Sequence, residues 1–162
     1  MIAIVMGVSG SGKTTVGKLL AQSLNWDFSD ADDFHQPANI EKMSRGIPLE
    51  DADRLPWLLH LQATIDRWLL ENKNVVLACS ALKASYREML CRDQQRVKIV
   101  YLKASFQLLA SRLKTRENHY MKVDLLSSQC ATLEEPETAI IIDASQPLEV
   151  MVRQIRNHLM CG

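Results

Sequence analysis

Eight residues near the start of the chain, Gly7-Val8-Ser9-Gly10-Ser11-Gly12-Lys13-Thr14, have the types and spacing to hold a row of phosphates. They fill G-x-x-x-x-G-K-[ST] at every fixed position. Glycines let the backbone take conformations that a side chain would forbid, so N–H groups can turn toward anionic oxygens. Lys13 then reaches the β- and γ-phosphates of a nucleotide, and the Thr14 hydroxyl is placed to hold Mg²⁺, with Thr15 next in line. The pattern carries this meaning only between a strand and a helix. Ile2 to Met6 reads as a short buried strand before the loop, and Val16, Leu19, Leu20 and Leu24 after it fall on one face of a helix. The positive end of that helix adds to the pull on anions.

The loop alone does not separate kinases from motor ATPases and GTPases. A GTPase needs a guanine-reading N-K-x-D and a D-x-x-G switch. Asn72-Lys73-Asn74-Val75 lacks the aspartate and runs into a strand, and no D-x-x-G occurs. A motor ATPase usually ends a later strand in a carboxylate, but the Val75–Ala78 run ends in Cys79-Ser80. The carboxylate on the magnesium side must come from elsewhere. The best source is Asp30-Ala31-Asp32-Asp33. In an extended segment alternate residues point the same way, so Asp30 and Asp32 are expected to face the site together. Asp30 would orient magnesium-bound water, and Asp32 would take the proton from an acceptor hydroxyl as it attacks the γ-phosphate.

These residues need a scaffold, and the hydrophobic pattern supplies one. Ile2–Met6, Val75–Ala78, Val97–Leu102 and Ala139–Ile142 are short, β-branched-rich runs, as buried parallel strands should be. Trp26–Ser29 is a fainter fifth. Helical spacing lies between them, in Leu58, Leu61, Ile65 and Trp68, in Leu82, Tyr86 and Leu90, in Leu108, Leu109 and Leu113, and in Leu148, Met151, Val152, Ile155 and Leu159. Pro147 suits the first turn of the last helix. Strands alternating with helices predict a parallel sheet covered on both faces, with the phosphate loop at its carboxyl edge.

Composition narrows the partners. With 19 basic and 19 acidic residues, the formal net charge of zero argues against a nucleic-acid or membrane-surface binder, which needs a cationic field. The 162 residues make one domain with a full core. Cys79, Cys91, Cys130 and Cys161 show no paired or zinc-ligand spacing and read as reduced thiols of a cytoplasmic protein. No apolar run approaches the roughly 20 residues of a membrane span. The first strand begins at once, leaving no room for a signal peptide.

Beyond the loop, the chain resembles a known family. Asp30-Ala31-Asp32-Asp33-Phe34-His35 through Asn39-Ile40-Glu41-Lys42-Met43 is similar to the D-x-D-x-x-H-x-x-x-N-I-x-K-M element of bacterial gluconokinases. Asp51-Ala52-Asp53-Arg54-Leu55-Pro56-Trp57-Leu58 resembles their D-x-D-R-x-P-W-L. Cys79-Ser80-Ala81-Leu82-Lys83 with Tyr86-Arg87 resembles C-S-A-L-K-x-x-Y-R, and Gln129 with Thr132-Leu133-Glu134-Glu135-Pro136 resembles Q-x-x-T-L-E-E-P. The matches run in order through nearly the whole chain.

The resemblance implies ATP- and Mg²⁺-dependent phosphorylation of D-gluconate at its 6-hydroxyl. It also implies a P-loop, nucleoside-monophosphate-kinase-like three-layer α/β fold with a five-stranded parallel sheet and a helical lid near residues 112–130, and a homodimer. It points to His35, Arg54, Lys83 and Arg87 as the polar lining of the substrate side, beside Asp32, without dividing carboxylate from hydroxyl contacts among those four. Arg54 can grip a carboxylate with two parallel bonds, which Lys83 cannot. Arg54 can equally pair with Asp51 or Asp53, and Lys83 and Arg87 can equally be solvated. Trp57 reads as core. Arg112 and Arg116, four apart, are the arginines a lid would bring onto the phosphates, with Arg116 in a catalytic role. The lid departs from the family's R-x-G-H-F-M-P, since Asn118 and Lys122 replace the glycine and proline. Another small acceptor, such as shikimate or a nucleoside monophosphate, would share the D-x-D element, but not His35, D-x-D-R-x-P-W-L or C-S-A-L-K. A nucleotide-binding module without turnover finds support only in the altered lid.

Overall fold

The computed structural model describes residues 1–114 and 119–160, with side chains described for 1–113 and 126–160. The elements in order are β1 (Ile2–Met6), α1 (Lys13–Leu24), β2 (Asp27–Asp30), a 3₁₀ turn (Ala31–Phe34), α2 (Pro37–Ser44), α3 (Asp51–Leu70) and β3 (Val75–Ala78). Next come α4 (Ala84–Leu90), β4 (Val97–Lys103), α5 (Phe106–Lys114), α6 (His119–Thr132), β5 (Ile140–Asp143) and α7 (Leu148–Met160).

The sheet has five strands in the order β2-β3-β1-β4-β5, and every neighbouring pair is parallel. β1 is the central strand, with Ile2 level with Val75 on one side and Val97 on the other. All five of its residues are buried, and alternate ones feed opposite layers. Ile2, Ile4 and Met6 pack with Trp57, Leu58, Leu61 and Ile65 of α3 and with Tyr86 and Leu90 of α4. Ala3 and Val5 pack with Val16 and Leu20 of α1 and with Met151, Val152 and Ile155 of α7. The expected layers, helices on both faces of a parallel sheet, are therefore present. A smaller third cluster joins Val8 of the glycine-rich loop to Leu82, to Leu109 and Leu113 of α5 and to Leu126 of α6.

Several boundaries differ from the periodicity. The fifth strand lies one residue later than Trp26–Ser29, because Asn25 ends α1 in a left-handed conformation, φ 58°, and Trp26 still bonds back to Ala21 O. Leu82 precedes α4 and belongs to the third cluster, although its spacing from Tyr86 is helical. Pro147 caps α7 from just outside, its carbonyl accepting from the Val150 and Met151 N–H groups. Neither α2 nor α6 is among the helices that apolar spacing predicts. The buried position of α2 is polar, Asn39, so hydrophobic spacing could not reveal it.

The chain leaves β1 toward β2 on one side and later crosses to β4 on the other, making the carboxyl end of β1 a topological switch point. Among the described residues, no helix is long and apolar enough to cross a membrane. Cys79, Cys91 and Cys130 are free thiols. Cys161 lies outside the described residues.

α1 approaches β2 and β3 closely through Gly17. A Cβ there would sit 2.7 Å from Cε1 of Phe28 and 3.6 Å from Cγ1 of Val76. Gly17→Val should overpack this seam and cost about 1–3 kcal/mol. Urea denaturation checks this, and an unchanged midpoint would contradict the close approach.

Candidate active site

The loop between β1 and α1 closes on itself. Gly7 has φ 155°, and a Cβ there would lie 2.6 Å from Ser11 Oγ and 3.2 Å from Leu102 O, so no other residue fits without movement. Gly12, with φ 97°, turns the chain into α1. The loop's donors lean on neutral partners. Ser9 N–H donates to Gln129 Oε1 at 2.7 Å, and Lys13 Nζ donates to Val8 O at 3.2 Å. The Ser11 hydroxyl is fully buried and has no hydrogen-bond partner among the described residues. Burial pushes the Lys13 pKa down, while Asp32 and Asp30 pull it up, so the ammonium would gain from an added anion. A glycine-rich turn leading into a helix, with a half-buried lysine short of counter-charge, fits a phosphate group.

Beside the loop, Asp30 ends β2 and anchors the turn after it. Its Oδ2 accepts from Thr14 Oγ1 at 3.0 Å, and its Oδ1 accepts from Asp32 N–H at 3.0 Å. Asp30 thereby caps the 3₁₀ turn Ala31–Phe34. This corrects the extended alternation expected for residues 30–33, because a cap and a tight turn set the position of Asp32. The Asp32 side chain is 70% exposed. Desolvation of the carboxyl, with the Asp30 carboxylate adding, raises its pKa against the pull of Lys13. Thr14 and Asp30 offer adjacent hard oxygens. Among the described residues, no group of three or more His, Cys, Asp or Glu is placed to hold a metal ion. Mg²⁺ needs no such group, since it usually keeps waters and takes one or two protein ligands plus phosphate oxygens.

On the far side of Asp32 lies a second polar cluster. His35 stacks on Trp57, with ring centroids 4.3 Å apart at 10°. The Asn39 amide nitrogen donates to Asp53 O at 2.8 Å, which fixes which way the amide points. The same nitrogen lies 3.2 Å from His35 Nδ1, so Nδ1 accepts and the ring proton sits on Nε2. Nε2 faces Asp32 Oδ1 at 4.0 Å. Burial, with Arg54 adding, lowers the His35 pKa to about 4, so the ring is neutral near pH 7. Trp57 is core, as expected, but its Nε1 also donates to Ala31 O at 2.7 Å and so holds the turn that carries Asp32.

Arg54 NH1 donates to Tyr86 OH at 3.2 Å, and its guanidinium lies 5.6 Å from the centre of that ring. Tyr86 OH donates in turn to Asp51, which also receives Lys83 Nζ at 2.8 and 3.0 Å. The partner of Asp53 is Lys42, at 3.0 Å. Arg87 stands apart from this cluster. It is 9% exposed, and its guanidinium donates to Ala81 O at 2.7 Å, Leu82 O at 3.2 Å and Glu134 O at 2.7 Å. Those bonds bracket the segment presenting Lys83.

Arg112 lies on α5 and reaches the outer side of the loop, donating to Gly10 O at 3.0 Å, Ser11 O at 3.4 Å and Ala144 O at 2.7 Å. Thr15 is exposed on the first turn of α1. Arg116, Asn118 and the side chain of Lys122 lie outside the described residues. Residue types and spacing do not single out Asp51, Asn39 or Gln129 for the site. They mark Tyr86 only as core spacing and part of a motif. Gln129 bonds the loop from 120 positions away, and no spacing rule reports such a contact.

The fold, the loop and the carboxylates beside it define a phosphate-loop kinase, and the shikimate kinase family model matches residues 9–159. Within that group, the chain belongs to the gluconokinase family. It is 46% identical to the gluconokinase of Gluconobacter oxydans, across 96% of this chain and 89% of that protein. It is 43% identical to the thermoresistant gluconokinase of Escherichia coli, across 93% and 89%. The crystal structure of a gluconokinase from Sinorhizobium meliloti superposes with a TM-score of 0.83 at 43% identity, covering 94% of this chain and 87% of that one.

The neutral His35 has a consequence for stability. In an unfolded chain it titrates near 6.5, against about 4 in the fold. The unfolded state therefore binds the proton first. The stability held by the neutral ring is complete above pH 6.5 and is lost as pH falls toward 4. His35→Gln should lose less stability than the parent between pH 7 and pH 5 in urea titrations, and equal losses would contradict the buried neutral ring.

Proposed function

We infer that the chain transfers the γ-phosphoryl group of ATP to the 6-hydroxyl of D-gluconate. One observation carries the mechanism. Asp30 ties the phosphate loop, through Thr14, to the turn that holds Asp32 beside His35, while Arg54 and Lys83 meet at Tyr86 and Asp51. Donor and acceptor sites then share a wall, with a carboxylate at the junction.

In this reading, the N–H groups of Gly7 to Thr15 and the Lys13 ammonium hold the nucleotide's phosphates. Thr14 and Asp30 hold Mg²⁺, directly or through water, and the ion supplies charge neutralisation on the phosphate oxygens. The 6-hydroxyl stands against Asp32. As its oxygen bonds to the γ-phosphorus, the bond from phosphorus to the ADP oxygen breaks, and the hydroxyl proton passes to Asp32. The raised pKa of Asp32 suits a group that must accept that proton. Lys13 steadies charge on the moving group. His35, with its proton on Nε2, donates toward the acceptor's hydroxyls. Arg54 and Lys83 attract its carboxylate, and Lys83 would exchange Asp51 for that ligand. Arg87 acts through the backbone it brackets and serves as a positioning residue. Arg112 braces the loop from outside, and Arg116 is retained from the family pattern as the arginine for the transferring group. The loop at Ala144, joined to the phosphate loop by Arg112, borders the adenine.

The shikimate kinase family model favours one second reading, a shikimate-like acceptor. An assay with ATP, Mg²⁺ and a panel of gluconate, other sugar acids, shikimate and nucleoside monophosphates separates the two. Gluconate should give the highest kcat/KM, and turnover of another acceptor without gluconate would overturn the assignment. Asp32→Asn should bind ATP within about twofold of the parent yet lose roughly 10²–10⁴ in kcat. Near-normal turnover would remove Asp32 as the base.

A further inference from the structure

We propose that Asp51 is a specificity-determining residue, a resident carboxylate on Lys83 that the acceptor's carboxylate must contend with and that limits the site's pull on charged acceptors. The proposal deepens the gluconate reading and rests on it. Gluconate is a chain of hydroxyls with a carboxylate at the end away from the reacting oxygen. From Asp32, contacts lead from group to group. His35 Nε2 lies 4.0 Å from Asp32 Oδ1. Arg54 is near enough to His35 to add to the lowering of its pKa, and Arg54 NH1 donates to Tyr86 OH at 3.2 Å. Tyr86 OH donates to Asp51, and Lys83 Nζ donates to both Asp51 oxygens, at 2.8 and 3.0 Å. The last contact in the series is thus already made to a carboxylate, and that carboxylate belongs to the chain.

The pieces differ in how firmly they are held. Tyr86 is buried, and two cations lie against its ring, the Arg54 guanidinium 5.6 Å and the Lys83 ammonium 5.7 Å from its centre. One fixed ring therefore gathers two like charges, and Asp51 is the counter-ion that offsets their repulsion. Asp51 itself is easily displaced. Its side chain is 67% exposed, and an exposed ion pair contributes little. Two positive charges against one negative leave a single positive charge for the acceptor, which suits a monoanion. An entering carboxylate either takes Lys83 from Asp51 or shares it, and in both cases meets one like charge at close range. A neutral acceptor meets no such penalty. Asp51 also stands in the first turn of α3, where a carboxylate steadies the helix. That role alters stability and carries no preference for the charge of an acceptor.

Asp51→Asn keeps the shape and an acceptor oxygen for Lys83 and Tyr86 but removes the charge. It should lower the KM for gluconate about threefold to tenfold, the effect of one unit charge at close range in a solvent-exposed site. The change should fall on KM rather than on kcat. Glucitol has the same carbon chain with a hydroxymethyl group in place of the carboxylate. It should show the same inhibition constant against gluconate, or the same lack of inhibition, in both proteins. Steady-state assays on the full chain with ATP and Mg²⁺ read both ligands, with thermal melts showing that the variant folds. An unchanged or higher gluconate KM in Asp51→Asn overturns the proposal. An equal gain for glucitol also overturns it, since shape and not charge would then be the cause. A parent that turns over another acceptor but not gluconate overturns instead the acceptor reading on which the proposal rests.

Discussion

The arrangement depends on one carboxylate with two hydrogen bonds. Asp30 accepts from Thr14 with one oxygen and from the Asp32 N–H with the other. The first bond ties the end of β2 to the start of α1, where the phosphate loop ends. The second starts the turn that leads the chain to His35. Two strands bring these parts near each other, but neighbouring strand ends alone do not set a side chain within reach of a reacting atom. A capped turn does, because the cap fixes the backbone within one residue of the group it must aim. Trp57 holds the same turn from below through Ala31 O and carries His35 on its face.

The sheet makes that bond possible. β1 is buried on both faces and flanked by β3 and β4, so the loop leaving it opens at the switch point between two halves of the fold. α1 must then lie close to β2 for Thr14 to reach Asp30, and Gly17 permits the approach. On the other face, α3 serves twice. Leu58, Leu61 and Ile65 fill the core, while its first turns carry Asp51, Arg54 and Trp57 to the cleft. Charge is arranged with similar economy. Lys13 is half-buried without a full counter-charge, Asp32 has its pKa raised, and Lys83 rests on Asp51 at the surface. Each of the three gains from an incoming ligand of the right charge.

Local and periodic features were legible from the residues. The phosphate loop, the strand runs and the helices with apolar stripes were all readable, because burial on one face leaves a spacing that one sequence can display. Residue types point to Asp30 and Asp32, but strand alternation does not describe the 3₁₀ turn that sets Asp32. α2 escaped because its inward residue is Asn39, whose value is its bonds to His35 and Asp53 O. Resemblance puts Arg87 on the substrate side; its three carbonyl partners appear only in the folded chain. Contacts made across long stretches of sequence, such as Tyr86 with Asp51 or Gln129 with Ser9, leave no periodic trace. They arise from how the layers stack, and the elements themselves do not encode them one by one.

The central claim is that Asp32, held by Asp30 at the junction of two sites, takes the acceptor's proton. Its folded environment raises its pKa above the ordinary 3.8. The most direct measurement is the pH dependence of kcat/KM for gluconate at saturating ATP, in the parent and in Asp32→Asn. The account predicts an acid limb in the parent, with an apparent pKa above 3.8, that is missing from the residual activity of the variant. The same limb in both proteins would contradict it.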